Sequence, residues 1–105
     1  MYELYQAEWC PYSHRVRAKL TERGVDFVAR QVPAEKSARH EMRERTGADS
    51  VPVLVAEGRV LREFDEILAF IEGHHPPTPD SERHRAKDFD PAEQREREAL
   101  RAQYP

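Results

Sequence analysis

Apolar positions along the first 75 residues change period repeatedly, and each change marks an element. Tyr2 to Ala7 is short and aromatic-rich, which predicts a strand. Tyr12, Val16 and Leu20 then recur at helical spacing, so residues 12–23 read as a helix that Gly24 closes as a left-handed cap. Phe27 to Val32 is a second strand. Ala34, Ala38 and Met42 mark one face of a second helix, whose other faces are basic and which Gly47 ends. Val53 to Ala56 reads as a buried strand, Glu57-Gly58 as a hairpin turn and Arg59 to Leu61 as the returning strand. Phe64, Ile67, Leu68 and Ile71 supply the apolar face of the last helix. The order βαβαββα, a strand-helix-strand unit followed by a hairpin, predicts an α/β fold with a mixed sheet and flanking helices.

The pattern breaks after His74-His75. Residues of the set AVILMFWYC make up 33 of the first 75 positions but only 7 of the 30 that follow. Residues 1–75 therefore read as the domain, and residues 76–105 as a tail without a core of its own. The tail holds five of the eight prolines and opens on Pro76-Pro77-Thr78-Pro79, which favours an extended linker. Asp90-Pro91-Ala92-Glu93 resembles a helix start, with Asp90 as N-cap, so a short polar helix is expected over about 91–103. Its sizeable apolar groups, Leu100 and Tyr104, stand at i,i+4 and suit weak docking on a neighbour.

Composition narrows the function classes. A net charge of -3 gives no electrostatic reason to expect nucleic acid as a partner. No apolar run approaches the roughly 18–20 residues of a membrane span, and MYELYQAEW does not read as a secretory leader. The expected location is cytoplasmic. With one cysteine, Cys10, no disulfide forms within the chain. The five histidines show no spacing that fixes a metal, and no protein-only metal site is expected.

Cys10 precedes Pro11 and the first helix, so its sulfur is expected at a helix amino end, where unpaired N–H groups favour an anion. Thiolates so placed can have pKa values lowered to roughly 3.5–7.5 from about 8.5. Arg15 and Arg17 add positive potential nearby. The competing expectation is a small buried filler. His14 is a weak candidate to pair with the thiolate, since that position of the helix usually faces solvent. Ser50-Val51-Pro52-Val53 sets a proline at a strand start, where its peptide bond can be cis. Glu63, Phe64, Asp65 and Glu66 open the last helix, either as complements of its dipole or as a ligand site in which Asp65 receives an ammonium.

Cys10-Pro11-Tyr12-Ser13, then Thr46-Gly47-Ala48-Asp49-Ser50-Val51-Pro52, then Phe64-Asp65-Glu66-Ile67 resemble, in order and spacing, the glutaredoxins and the thioredoxin-like amino-terminal domain of glutathione transferases. The resemblance implies the thioredoxin fold, a four-stranded mixed sheet with flanking helices, and thiol-disulfide exchange with glutathione. It implies Cys10 as the nucleophile, Tyr12 beside the glutathione site, Val51 pairing through its backbone with glutathione, and Pro52 as the cis-proline. It implies Phe64 and Asp65 at the γ-glutamyl end and Arg39 on the glycine carboxylate, although Arg39 also reads as one more solvated charge. Ser13 stands where dithiol members have a resolving cysteine, so the sequence resembles a monothiol variant. Ala7 replaces the family's usual lysine, and Arg62-Glu63 its usual Gly-Gly pair. Glu63 is similar to the Glu of the transferases' Glu-Ser pair, with Phe64 at the Ser position.

The expected activity is glutathione-dependent deglutathionylation through Cys10, with glutathione or another low-molecular-weight thiol as co-substrate and glutathionylated proteins or small disulfides as partners. Conjugation is disfavoured, because the tail is too short and polar to form a second-substrate domain. Two alternatives stay open: an iron-sulfur cluster carrier in which two chains and two glutathiones supply four thiolates, and a non-enzymatic binding module.

Overall fold

In the computed structural model, which describes residues 1–88 and 91–105, the alternating pattern becomes a four-stranded sheet in the order β2-β1-β3-β4. The strands are β1 (Tyr2–Gln6), β2 (Phe27–Gln31), β3 (Val53–Ala56) and β4 (Arg59–Leu61). β1 pairs in parallel with β2 and antiparallel with β3, which pairs antiparallel with β4. The helices are α1 (Pro11–Glu22), α2 (His40–Thr46), α3 (Phe64–His74), α4 (Ser81–Asp88) and α5 (Pro91–Gln103).

The two-residue period of the central strands divides the core. Leu4, Leu54, Ala56 and Leu61 pack with Val16 and Leu20 of α1 and with Ile67, Phe70 and Ile71 of α3. On the other face, Tyr5, Ala7 and Val53 pack with Met42 of α2, and this second cluster also contains Cys10 and Val51. The first cluster is the larger and has Phe64 packed against it, while Cys10 lies in the second. Tyr12 departs from the expected α1 stripe: it is 42% exposed, whereas Ser13, Val16 and Leu20 are buried.

The segment after β2 differs from the single helix expected over Ala34 to Met42. A 3₁₀ turn at Lys36–Ala38 and α2 are separated by Arg39, whose ψ of 52° is not helical. Ala34 and Ala38 remain exposed, so their spacing carried no burial. Gly47 ends α2 at φ 75°, and a Cβ there would lie 3.0 Å from Nη2 of Arg62. Arg62 needs that approach, because its Nε and Nη2 donate to the Thr46 carbonyl at 3.0 and 2.6 Å.

The polar tail is docked on the domain. α4, which the sequence pattern did not suggest, packs on α1 through Ser81, whose Oγ donates to the Glu22 carbonyl, and through Arg85, which bonds the Glu22 carboxylate. α5 covers residues 91–103, matching the expected range, and the expected N-cap Asp90 lies outside the described residues. Burial alone would raise the Glu22 pKa, but bonds and charge from Arg85 and Lys19 outweigh it and hold the carboxyl below its ordinary 4.5. A group depressed on folding stabilises the fold above its unfolded pKa and loses that contribution as pH falls through the folded one. Glu22→Gln is therefore expected to cost about 1–2 kcal/mol at neutral pH. Thermal melts of both chains across pH should show this deficit shrinking progressively below about pH 4.5.

Candidate functional site

Cys10 occupies the N-cap of α1, with Pro11 at the first helical position, where a missing N–H removes no helical bond. Its Sγ accepts from the Ser13 N–H at 3.4 Å, so one of the open amides of the first turn points at the sulfur. The Ser13 Oγ accepts in turn from the Ala7 N–H at 3.3 Å and ties the end of the β1 segment to the helix. Cys10 and Ser13 are both fully buried.

Around this thiol the fold gathers residues distant in sequence. Tyr12 and Phe64 meet edge to face at 5.0 Å, which joins the start of α1 to the start of α3, and the Arg15 guanidinium lies 4.9 Å from the Phe64 ring centre. Val51 shares the apolar cluster of Cys10, and the Val51-Pro52 peptide bond is cis. Glu63 is the N-cap of α3 with no side-chain capping bond, and Glu63 and Asp65 are exposed beside Phe64. Of the sequence-derived candidates, the structure places Cys10 and Val51 in one cluster and sets Tyr12 against Phe64, with Pro52 next to Val51 and with Glu63 and Asp65 next to Phe64 along the chain.

Arg39 has another place. It is 1% exposed, and its Nε, Nη1 and Nη2 donate to the carbonyls of Pro33, Asp49 and Ala34 at 2.8, 2.8 and 3.0 Å. This departs from the expectation of a solvated charge, since three of the five guanidinium N–H groups are taken by backbone carbonyls. The guanidinium instead clamps the β2–α2 connection to the residue two before Val51. Burial lowers its pKa, and the positive charge of Arg101 lowers it further, against the opposing pull of Asp49, Cys10 and Glu35. The His14 ring meets the Arg17 guanidinium at 3.4 Å.

The tail reaches the same place. The Val51 N–H donates to the main-chain oxygen of Pro105 at 3.3 Å, the rings of Trp9 and Tyr104 meet edge to face at 6.2 Å, and the Arg101 guanidinium lies 5.3 Å from the Tyr12 ring centre. Trp9 and Arg101 were not singled out by the sequence. The one signal was Tyr104 at i,i+4 from Leu100, which marks an apolar edge without saying what it meets.

The chemistry available at this site is that of one thiol at a helix amino end, with no second cysteine in the chain. Among the described residues no group of three or more His, Cys, Asp or Glu side chains is arranged to hold a metal, and no helix is long and apolar enough to cross a membrane.

A sequence model of the family described as Glutaredoxin matches residues 2–61. Glutaredoxin 3 of Escherichia coli strain K12 is 33% identical over 67 residues, which cover 64% of this chain and 81% of that protein. A Clostridium pasteurianum protein described as an uncharacterized glutaredoxin-like 8.6 kDa protein in a rubredoxin operon is 27% identical, with 63% and 88% covered. Among solved structures, human glutathione transferase theta-2 in complex with glutathione and an unknown ligand aligns over 76% of this chain with a TM-score of 0.65 at 22% identity. A diazinon-metabolizing glutathione S-transferase of the silkworm Bombyx mori aligns over 75% with a TM-score of 0.63 at 28% identity. The chain spans only 33% and 40% of those two transferase chains, so the likeness is one of fold. Together with the strand order, it is the thioredoxin fold that the motifs implied.

Proposed function

The chain belongs to the glutaredoxin family, whose chemistry is thiol-disulfide oxidoreduction, and from that premise we propose that it is a monothiol member that removes glutathione from mixed disulfides through Cys10. The observation that carries this reading is the Cys10 sulfur at the α1 N-cap, receiving the Ser13 N–H in a chain with no other cysteine. In the first step the Cys10 thiolate attacks the glutathione-side sulfur of the substrate disulfide. That S–S bond breaks, the substrate sulfur leaves with the electron pair and takes a proton, and glutathione remains bonded to Cys10. In the second step the thiolate of free glutathione attacks the glutathionyl sulfur, which yields glutathione disulfide and returns Cys10 as thiolate. Each turnover thus reduces one mixed disulfide and oxidises one further glutathione.

In this reading glutathione binds through the residues around the sulfur. The Val51 main chain pairs with the cysteinyl segment beside Pro52, Tyr12 and Phe64 form an aromatic wall, and the open amides of α3 receive the γ-glutamyl carboxylate. Asp65 and Glu63 take the ammonium. Arg39 gives three of its five N–H donors to backbone carbonyls, which leaves one on each Nη for the glycine carboxylate.

The test is release of a peptide thiol from its glutathione mixed disulfide in the presence of glutathione, coupled to glutathione reductase. Turnover above the protein-free rate is expected, and its absence would refute the reading. A second outcome follows from Ser13, whose hydroxyl cannot resolve a mixed disulfide. After exposure to glutathione disulfide, the wild-type chain should gain one glutathionyl group by intact mass. Ser13→Cys should instead release glutathione and close a disulfide between Cys10 and the introduced thiol; a stable adduct on that variant would count against the assigned geometry.

A further inference from the structure

Three groups that border Cys10 are occupied by the chain's own residues 101–105. Pro105 takes the Val51 N–H, Tyr104 covers the edge of Trp9 and Arg101 covers the face of Tyr12. Trp9 and Tyr12 flank the thiol in sequence, and Val51 packs with it in one cluster, so these contacts bracket the sulfur. Cys10 itself has no exposed surface, being buried in the cluster of Tyr5, Ala7, Met42, Val51 and Val53. A disulfide substrate must reach the sulfur directly, so the arrangement is a closed one.

We infer that residues 101–105 form an internal strap that closes the Cys10 site and competes with the thiol substrate for the Val51 main chain and the Trp9 and Tyr12 rings. The inference rests on the reading of Cys10 as the substrate-facing thiol.

The strap is built to be released. Trp9 Nε1 and Arg101 Nε are buried at its contact without an acceptor among the described residues, and a buried donor without a partner regains hydrogen bonds when water or a ligand enters. Arg101 also brings its positive charge to bear on the buried guanidinium of Arg39, a repulsion that opening relieves. The tail is also held away from the site, by α4 and by α5 against α1. Ser81 and Arg85 of α4 fasten to Glu22 at the far end of α1, so residues 101–105 can leave the site while the tail stays tethered. The apolar pair Leu100 and Tyr104 gives α5 one narrow edge against the domain, which suits a segment in exchange between bound and free.

The experiment compares the full-length wild-type chain with the double variant Arg101→Ala/Tyr104→Ala. Two readouts are taken: the rate of Cys10 alkylation by N-ethylmaleimide, and hydrogen exchange of the Val51 amide by NMR. Both rates are expected to rise about tenfold or more in the variant, and equal rates would overturn the strap. A wild-type measurement guards against a variant that fails to fold. Titration with S-methylglutathione, which cannot form a disulfide, should move the amide resonances of Trp9, Val51, Arg101 and Tyr104 together. Shifts at Trp9 and Val51 with Arg101 and Tyr104 unmoved would overturn the strap. The two readings fail separately. Faster alkylation of the variant without uptake of glutathione by either chain keeps the strap and removes glutathione as the substrate. Equal uptake of glutathione by both chains keeps the glutathione reading and removes the strap.

Discussion

Cys10→Ser is expected to reduce release of glutathione from a glutathionylated peptide to the uncatalysed rate, a loss of about a thousandfold or more, with the fold intact. The two halves of that statement have separate causes. Activity vanishes because a serine hydroxyl is not ionised near neutral pH and is a poor nucleophile toward sulfur, and the chain holds no second thiol to substitute. The fold survives because Cys10 is the N-cap of α1, whose side chain accepts from the Ser13 N–H, and serine is among the favoured residues at that position. Melting temperature and far-ultraviolet circular dichroism should change little while turnover is lost. Residual turnover in this variant at more than a few per cent of wild type would move the chemistry away from Cys10.

Arg39→Lys is expected to destabilise the chain by about 3 kcal/mol, and Arg39→Ala by at least as much. A lysine keeps the charge but presents one nitrogen where the guanidinium presents three. The carbonyls of Pro33, Ala34 and Asp49 would then compete for a single ammonium in a site that excludes water. Truncation to alanine leaves those acceptors unpaired and a cavity beside them. Asp49 stands two residues before Val51, so loss of the clamp loosens the segment that borders the thiol. Urea denaturation and a glutathione titration read the clamp and the ligand contact separately. The structural role predicts a large stability loss with Arg39→Lys. A lysine variant with wild-type stability and weakened glutathione binding would overturn the clamp and leave Arg39 the carboxylate alone.

Arg39 also shows where reading the sequence stopped. Arginine is usually exposed, and nothing in its neighbours' spacing marks it as the centre of three carbonyls contributed by two loops. Ala34 and Ala38 misled in the opposite direction: they stand at helical spacing, yet alanine carries too little apolar surface for that spacing to require burial. Where large side chains alternate or recur, the sequence pattern dictates the packing. Leu4, Leu54 and Leu61 fall on one face because strand residues alternate, and Val16, Leu20, Ile67 and Ile71 face them because helix residues recur every three or four. α4 left no such trace, since Ser81 and Arg85 hold it by polar bonds to Glu22.

The candidate site was legible in its parts and not in its covering. Local rules set Cys10 at a helix start and Phe64 with Asp65 at another, and the family resemblance implied that they border one site. The meeting of Arg101, Tyr104 and Pro105 with Tyr12, Trp9 and Val51 joins segments more than fifty residues apart through single contacts, which leave no periodic signature. Arg62 makes a shorter-range contact, to a residue sixteen positions away, that likewise leaves no periodic signature. It departs from the family's Gly-Gly pair, and the structure gives it the Thr46 carbonyl to hold.

In the proposed reaction Cys10 carries glutathione as a covalent intermediate. The most direct measurement is intact-mass analysis of the wild-type chain after incubation with glutathione disulfide, followed by peptide mapping and by addition of free glutathione. One glutathionyl group per chain is expected, located on the Cys10 peptide and removed by free glutathione with recovery of the thiol. An unmodified mass, or an adduct that free glutathione does not remove, would contradict it.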